Sequence, residues 1–224
     1  MVNNFELLEN FIQKNYTLEE GDFFFVQILK RRKENPELKK DVSLIANYFL
    51  YAIEEFISLE EDIIQICKEN NARAYIRLNK RNDKKIALQT LKIAIDDIIS
   101  GTYKSRFDEI YRFTDSEPHK SLEMVKLITD SIMVKNFEPV RFAHLSACGQ
   151  FASDPVKKWL IDLDDKSMLD EVRDFLNTIT NVLETIPTKN GYHLITPGFN
   201  PNLFTTKYKN IVMQKDSPTI LYSI

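Results

Sequence analysis

The sequence has few of the features on which secreted, zinc-stabilised or membrane-spanning proteins depend. Its only two cysteines, Cys67 and Cys148, each stand alone in an apolar setting, so neither a disulfide framework nor a zinc-ligand spacing is possible. No run of about eighteen apolar residues occurs, which excludes a membrane-spanning helix. The N-terminus lacks the basic and apolar segments of a signal peptide. We therefore expect a cytoplasmic protein with no membrane partner.

The chain also lacks a large excess of charge of either sign. Its 30 lysines and arginines nearly balance its 33 aspartates and glutamates, which leaves a formal net charge of −3. A protein with this balance does not coat nucleic acid by charge alone, so any nucleic-acid contact must come from a local basic patch. With 43% hydrophobic residues over 224 positions, the chain is typical of a globular protein with one large domain or two smaller ones.

Composition and periodicity divide the chain into two modules of an α+β protein. Residues 1–150 are predicted to form a helical and α/β module, with a strand at about 72–79 and an inserted helical hairpin at 102–140. Residues 151–224 are predicted to form an antiparallel sheet with a crossover helix. Its strands are expected at 158–163, 182–187, 192–196, 211–216 and 219–224, and its helix at 167–180.

Apolar spacing predicts that most of the first 70 residues are helical. A helical period occurs in residues 3–15 and again in 41–57, and Ser58 has the position of an N-cap for a following helix that ends near residue 71. The apolar run Phe23–Leu29 fits either a buried strand or a helix, and we favour a helix that ends near Pro36. The basic run after it fits a solvated helix end or a phosphate-contacting patch.

The first strong strand pattern is at residues 72–79, where apolar and polar residues alternate. It leads through a basic loop, Lys80–Lys85, into a helix that Gly101 ends. Arg77, Lys80 and Arg81 lie where the strand passes to a helix N-terminus, whose free N–H groups attract phosphate. This segment is the best candidate for a polyanion-binding surface, although a solvated loop explains the same residues.

Two carboxylates interrupt the apolar strand predicted at 158–163. Asp162 and Asp164 are two positions apart, so on a strand they point to the same face. Two ionised carboxylates on one face repel each other, and a divalent cation such as Mg²⁺ or Mn²⁺ removes that repulsion. The alternative is a strand that ends in an acidic turn, with Asp164 or Asp165 capping the next helix.

Two further segments supply residues of the same chemistry. In residues 188–193 a turn with Thr188 and Lys189 leads directly to a strand that carries His193, and Asp216 follows another apolar strand. Each segment has ordinary turn chemistry when taken alone. Together they would place three carboxylates and a phosphate-binding histidine on one sheet surface, as two-metal phosphoryl or nucleotidyl transfer requires.

The order Asp-x-Asp, Gly-Tyr-His strand and apolar-strand Asp resembles the three catalytic motifs of the archaeo-eukaryotic primase superfamily, which includes primase–polymerases. The resemblance implies an RRM-like catalytic sheet joined to an N-terminal α/β module. It implies that Asp162, Asp164 and Asp216 bind two divalent metals. His193 would contact the triphosphate with Lys189 and Thr188, and the strand with Arg77 and Arg81 would face the substrate. The family's second motif usually has a small hydroxyl residue two positions before the histidine, where this chain has Gly191.

The resemblance implies a metal-dependent nucleotidyltransferase that makes or extends short primers from nucleoside triphosphates on a single-stranded template. The chain is also similar to short replication proteins of phages and mobile elements. It would then act in the cytoplasm of a bacterial or phage-infected cell, alongside other replication proteins. Two alternatives stay open. One is an inactive RRM-like nucleic-acid or nucleotide-binding accessory protein, with Tyr75 and Tyr192 as stacking platforms. The other is a metal-dependent phosphodiesterase.

Overall fold

A computed structural model describes residues 1–99 and 138–224 of the chain. The predicted helical hairpin up to residue 137 and the predicted helix end at Gly101 lie outside these ranges. The described helices are α1 Phe5–Asn15, α2 Glu54–Asn70, α3 Asp83–Ile99, α4 Glu138–Gln150, α5 Leu169–Ile179 and α6 Pro201–Thr205. The strands are β1 Val2–Asn3, β2 Asp22–Arg31, β3 Val42–Leu50, β4 Arg73–Asn82, β5 Lys158–Leu163, β6 Glu184–Pro187, β7 Tyr192–Pro197, β8 Val212–Gln214 and β9 Pro218–Ser223.

The predicted α+β class is confirmed, since two antiparallel sheets and six helices make up the described residues. The compact units group the chain differently from the predicted modules 1–150 and 151–224. One unit consists of Met1–Asn82 together with Ala152–Ile224, and the other consists of Asp83–Phe151. None of the described helices combines the length and the apolar character needed to cross a membrane.

The first sheet has five strands in the order β1-β9-β4-β2-β3. The last strand of the chain, β9, therefore lies between β1 and β4 and not beside β8. Helices α1 and α2 supply apolar side chains to the core of this sheet. The buried set includes Leu8, Phe11, Ile12, Phe24, Val26, Phe56, Ile63, Ala74, Ile76 and Leu78.

The prediction of a helix at Phe23–Leu29 is wrong, because this run lies in β2. The strand pairs with β3 on one side and with β4 on the other, and Phe23 to Val26 are all buried. A strand covered on both faces has no polar alternation, so its sequence has the continuous apolar run that a buried helix also shows.

The predicted helix at 41–57 is also wrong, because its first half is β3 and α2 begins only at Glu54. Ser58 lies inside α2 and is not its N-cap; its hydroxyl donates to the Glu55 carbonyl at 3.0 Å. The predicted helix end near residue 71 is confirmed. Asn71 has a left-handed φ of 47° there, and its N–H bonds to the carbonyls of the last turn.

The predicted strand at 72–79 is confirmed as β4, with Ala74, Ile76 and Leu78 buried. The strand continues to Asn82 and leads straight into α3. The expected basic loop is therefore wrong at its first residues, since Lys80 and Arg81 belong to the strand.

The second sheet has four strands in the order β6-β7-β5-β8. The predicted strand at 158–163 and the predicted helix at 167–180 are both confirmed, as β5 and as a 3₁₀ turn followed by α5. α5 and α6 contribute Val172, Leu176 and Phe204 to the core of this sheet. In the unit of residues 83–151, Thr90 and Cys148 both lie near the ring of His144.

Candidate functional site

Asp162 and His193 lie directly opposite each other on neighbouring strands, β5 and β7. The two residues are far apart in the sequence but only 3.5 Å separates Asp162 Oδ1 from His193 Nε2. The Asp162 side chain is 36% exposed and that of His193 is 13% exposed. The pair therefore combines a carboxylate that reaches solvent with a largely enclosed imidazole ring.

Thr219 fixes the other side of the His193 ring. Its Oγ1 lies 2.8 Å from His193 Nδ1, and Thr219 is fully buried in β9. A hydrogen bond at one ring nitrogen sets the orientation of the ring and decides what the other nitrogen can do. Thr219 thus joins the first sheet to the second and directs Nε2 to the side of Asp162.

Arg31, near the end of β2, brings positive charge towards the same carboxylate. Its Nη1 donates to the Tyr75 hydroxyl at 3.3 Å. The hydrogen bond with Tyr75 raises the pKa of the Arg31 guanidinium, and the carboxylates of Glu34 and Asp162 add to this effect. The charge of Asp162 therefore acts on Arg31, which is hydrogen-bonded to Tyr75 in the first sheet.

Asp164 is exposed just after the end of β5, and no hydrogen bond or ion pair joins it to another described residue. The turn before β7 packs tightly against this position. A Cβ atom at Gly191 would lie 1.8 Å from the Leu163 carbonyl oxygen and 2.9 Å from Asp164 Cα. Only glycine fits this contact without movement of the backbone, which explains why this position does not carry a hydroxyl residue.

Thr188 and Lys189 have different environments in that turn. The Thr188 hydroxyl accepts from the Gly191 N–H at 3.0 Å, and the Thr188 N–H donates to the Gly191 carbonyl at 3.0 Å. The hydroxyl is thus used to close the turn. Lys189 is exposed, so its ammonium remains accessible to an anion.

Asp216 occupies a different environment, between β8 and β9. Both of its carboxylate oxygens accept from Arg81, with Nη2–Oδ2 at 2.9 Å and Nη1–Oδ1 at 3.2 Å. Asn79 Nδ2 donates to Oδ1 at 3.0 Å. The Arg81 side chain is completely buried and the Asp216 side chain is only 13% exposed. Its backbone φ is 94°, a left-handed conformation that aspartate tolerates better than most residues.

Arg77 contacts the backbone of the same turn. Its Nη1 donates to the Asp216 carbonyl at 2.6 Å, while its Nε is buried without a hydrogen-bond partner among the described residues. Burial lowers the pKa of Arg77 to about 10, with a further contribution from the nearby Arg81. The guanidinium stays protonated at neutral pH, so Arg77 is a partly buried cation with an unused donor.

The residues predicted as metal ligands are not gathered into one cluster. Among the residues whose side chains the structure describes, no three His, Cys, Asp or Glu are grouped as ligands for a metal ion. Asp162 and Asp164 keep oxygens that a cation can reach. Asp216 is only 13% exposed and its carboxylate is shared with Arg81 and Asn79, so it is much less open to a cation than Asp162. Arg81, predicted to contact a nucleotide, is enclosed with Asp216 and has no route to a ligand.

Two residues that shape the site, Thr219 and Arg31, did not stand out in the sequence. Thr219 is one of several hydroxyl residues in a mainly apolar strand, which is a weak signal for a buried polar contact. Arg31 belongs to a basic run for which a solvated helix end was the simplest explanation. Asn79 joins the sheets, since its side-chain amide donates to the Lys158 carbonyl and accepts from the Lys158 N–H.

The chain matches no protein-family model, no curated protein and no solved structure. A function must therefore be argued from the residues and their geometry.

Proposed function

We propose that this protein is a metal-dependent nucleotidyltransferase of primase–polymerase type, which makes or extends short primers from nucleoside triphosphates on a single-stranded template. The observation that carries the proposal is the pairing of Asp162 with His193 on adjacent strands. The two residues come from separate sequence motifs. They must lie on one sheet surface if both are to contact the same bound triphosphate.

Asp162 and Asp164 are the residues that would hold Mg²⁺ or Mn²⁺. Mg²⁺ is often held by only one or two carboxylates, with water and substrate phosphates as its remaining ligands, so this pair suffices without a third protein ligand. When bound, the metal supplies positive charge that activates an attacking hydroxyl and neutralises charge on the phosphates.

His193 is suited to hold the phosphates of the incoming nucleotide. If the Thr219 hydroxyl donates to Nδ1, the neutral ring carries its proton on Nε2 and can donate it to a phosphate oxygen. Lys189 and Arg77 add positive charge. Asp216 and Arg81 have a positioning role in this proposal, because their ion pair holds the backbone that Arg77 contacts.

A second candidate is a catalytically inactive nucleotide- or nucleic-acid-binding protein that assists other replication proteins. The enclosed ion pair of Asp216 favours it, because the family's motif implies that this acid is a metal ligand. An inactive relative would keep the cationic groups and the stacking residues while it lost the full ligand set.

Incorporation of labelled nucleotides on primed and unprimed templates, with Mg²⁺ or Mn²⁺, separates these functions. We expect Asp162→Asn to reduce incorporation by about a hundredfold or more, since metal stabilisation of the transition state is worth several kcal/mol. Asp170→Asn is the matched control, because Asp170 is an exposed acid on α5. Binding of nucleotide without incorporation would favour the inactive protein, and metal-dependent degradation of a labelled oligonucleotide would favour a phosphodiesterase.

A further inference from the structure

The one tryptophan of the chain, Trp159, lies on the face of β5 opposite to Asp162. Side chains alternate along a strand, so Trp159 shares its face with Ile161 and Leu163. Those two residues belong to the core of the second sheet, whereas Trp159 belongs to neither apolar core of the described residues. Trp159 is half-buried outside both cores, so part of this large aromatic side chain remains open to solvent.

The surroundings of Trp159 form a small aromatic and basic patch. Phe199 lies with its ring centroid 5.3 Å from that of Trp159, tilted by 46°. Lys215 places its Nζ 4.9 Å from the indole centroid, and Gly198 lies against the indole edge, where an added Cβ would be 3.3 Å away. Lys215 and the nearby Lys157 are exposed. We call Trp159, Phe199 and Lys215 the aromatic patch.

We propose that the aromatic patch binds single-stranded nucleic acid by stacking an unpaired base on Trp159 while Lys215 contacts the adjacent phosphate. The combination of an aromatic ring and a mobile cation is the one that single-strand-binding surfaces use. The proposal rests on the proposed function only for the choice of ligand class, since the patch is on the other face of β5 from the Asp162–His193 pair.

Lys215 occupies one side of the indole in the free protein, so a base must displace it. A cation over an exposed ring contributes a factor of roughly two to five in an equilibrium constant. A stacked base contributes roughly 5- to 150-fold. Stacking therefore wins, and the displaced ammonium gains a phosphate partner. In the free protein, the contact with the indole ring keeps Lys215 beside the position that the phosphate of a stacked nucleotide would occupy.

Because Trp159 is the only tryptophan, its fluorescence reports on this site alone. The test titrates the full chain with a short oligothymidine and with a duplex of similar length. We expect saturable quenching by the single strand and little quenching by the duplex, whose bases are already stacked. Absence of quenching at oligothymidine concentrations that saturate binding, or equal quenching by the duplex, would overturn the proposal.

Variants measured by anisotropy of a labelled oligothymidine give a second readout. We expect Trp159→Leu to weaken binding roughly 5- to 150-fold. Lys215→Ala should reduce the slope of log affinity against log salt by about 0.7, the value for one phosphate contact on a single strand. Lys207→Ala is the matched control, because Lys207 also lies over aromatic rings, those of Phe175 and Tyr208, at 4.6 and 4.9 Å.

Thermal melts establish that each variant is folded. The quenching measurement on the wild-type protein does not depend on the folding of any variant. Unchanged affinity in a folded Trp159→Leu protein would overturn the proposal, as would a Lys207→Ala effect equal to that of Lys215→Ala. Failure here is distinguishable from failure of the catalytic proposal. Asp162→Asn should reduce nucleotide incorporation and leave the quenching unchanged, whereas Trp159→Leu should weaken the binding of oligothymidine that anisotropy measures.

Discussion

Asp162 and Asp216 were predicted to be ligands of the same metals, but the protein places them in opposite environments. Asp162 is 36% exposed and has a histidine nitrogen at 3.5 Å. Asp216 is 13% exposed and shares its carboxylate with a completely buried arginine. One acid is available to a ligand and the other is part of the internal structure. The comparison teaches that the role of an acidic residue depends on partners that lie far away in the sequence.

The energetics of the two carboxylates differ accordingly. A carboxylate that accepts two guanidinium hydrogen bonds, as Asp216 does from Arg81, forms one of the stronger polar contacts in proteins. Removal of one partner from a buried ion pair is costly because the other charge remains in a poorly solvated place. Asp162 can lose its charge without this penalty, since water reaches its side chain. Stability measurements should therefore separate the two residues.

The largest expected effect is on the stability of Asp216→Ala. This change removes the carboxylate that two Arg81 nitrogens contact, and we expect it to reduce the free energy of unfolding by about 3–5 kcal/mol. Chemical denaturation of the purified protein measures the change. Asp162→Ala is the control, and we expect it to shift stability by less than about 1 kcal/mol. Equal losses in the two variants would contradict the distinction between them.

A double variant tests whether the loss comes from the charge that remains. In Arg81→Met with Asp216→Leu, both charges are replaced by apolar side chains, which often restores stability at a buried ion pair. We expect the double variant to be more stable than Asp216→Ala. If it is less stable, the charge left on Arg81 is not the main cost of Asp216→Ala, because both variants lose the carboxylate that Asn79 contacts and keep the backbone carbonyl that Arg77 contacts.

The second expected effect compares two glycines near the two functional faces of β5. An alanine Cβ at position 191 would overlap the Leu163 carbonyl oxygen, whereas one at position 198 would only approach the Trp159 side chain at 3.3 Å. A backbone atom cannot move away as a side chain can, so we expect Gly191→Ala to cost about 1–3 kcal/mol. Gly198→Ala should cost less than about 1 kcal/mol. Denaturation curves that coincide for the two variants would show that the turn before β7 yields more readily than its contacts indicate.

Two regions of the chain also differ in how well their sequence predicts their structure. In residues 158–197 the strands are short, flanked by turn residues and separated by one amphipathic helix, and their predicted positions agree with β5, β6 and β7. In residues 22–50 both strands were predicted to be helical. β2 is buried on both faces, so its sequence shows no polar alternation. In β3 the apolar residues are spaced in a way that also fits a helical period. A continuous apolar run fits a strand and a helix alike, so local patterns alone could not assign β2.

The candidate site was predictable to the same limited extent. The order and combination of motifs predicted that Asp162 and His193 share a sheet surface, but their direct pairing across β5 and β7 is seen only in the structure. The enclosure of Asp216 does not follow from sequence, because Arg81 is 135 residues away. Arg81 belongs to β4, which lies close to this turn only because β9 is placed between β1 and β4. Long-range strand order is the information that the sequence patterns lacked.

The smallest expected effect concerns metal binding and bears most directly on the comparison. A ligand that binds only the folded state stabilises it, by about 1.4 kcal/mol at ten times its dissociation constant. For a chain of this size that corresponds to a rise in Tm of roughly 3–6 °C. We expect Mn²⁺ to produce such a rise in the wild type and none in Asp162→Asn. Asp216→Asn should melt at a lower temperature but keep the Mn²⁺-dependent rise. If Asp216→Asn loses the rise while Asp162→Asn keeps it, the roles of the two acids are reversed. The ion pair with Arg81 must then open when metal binds.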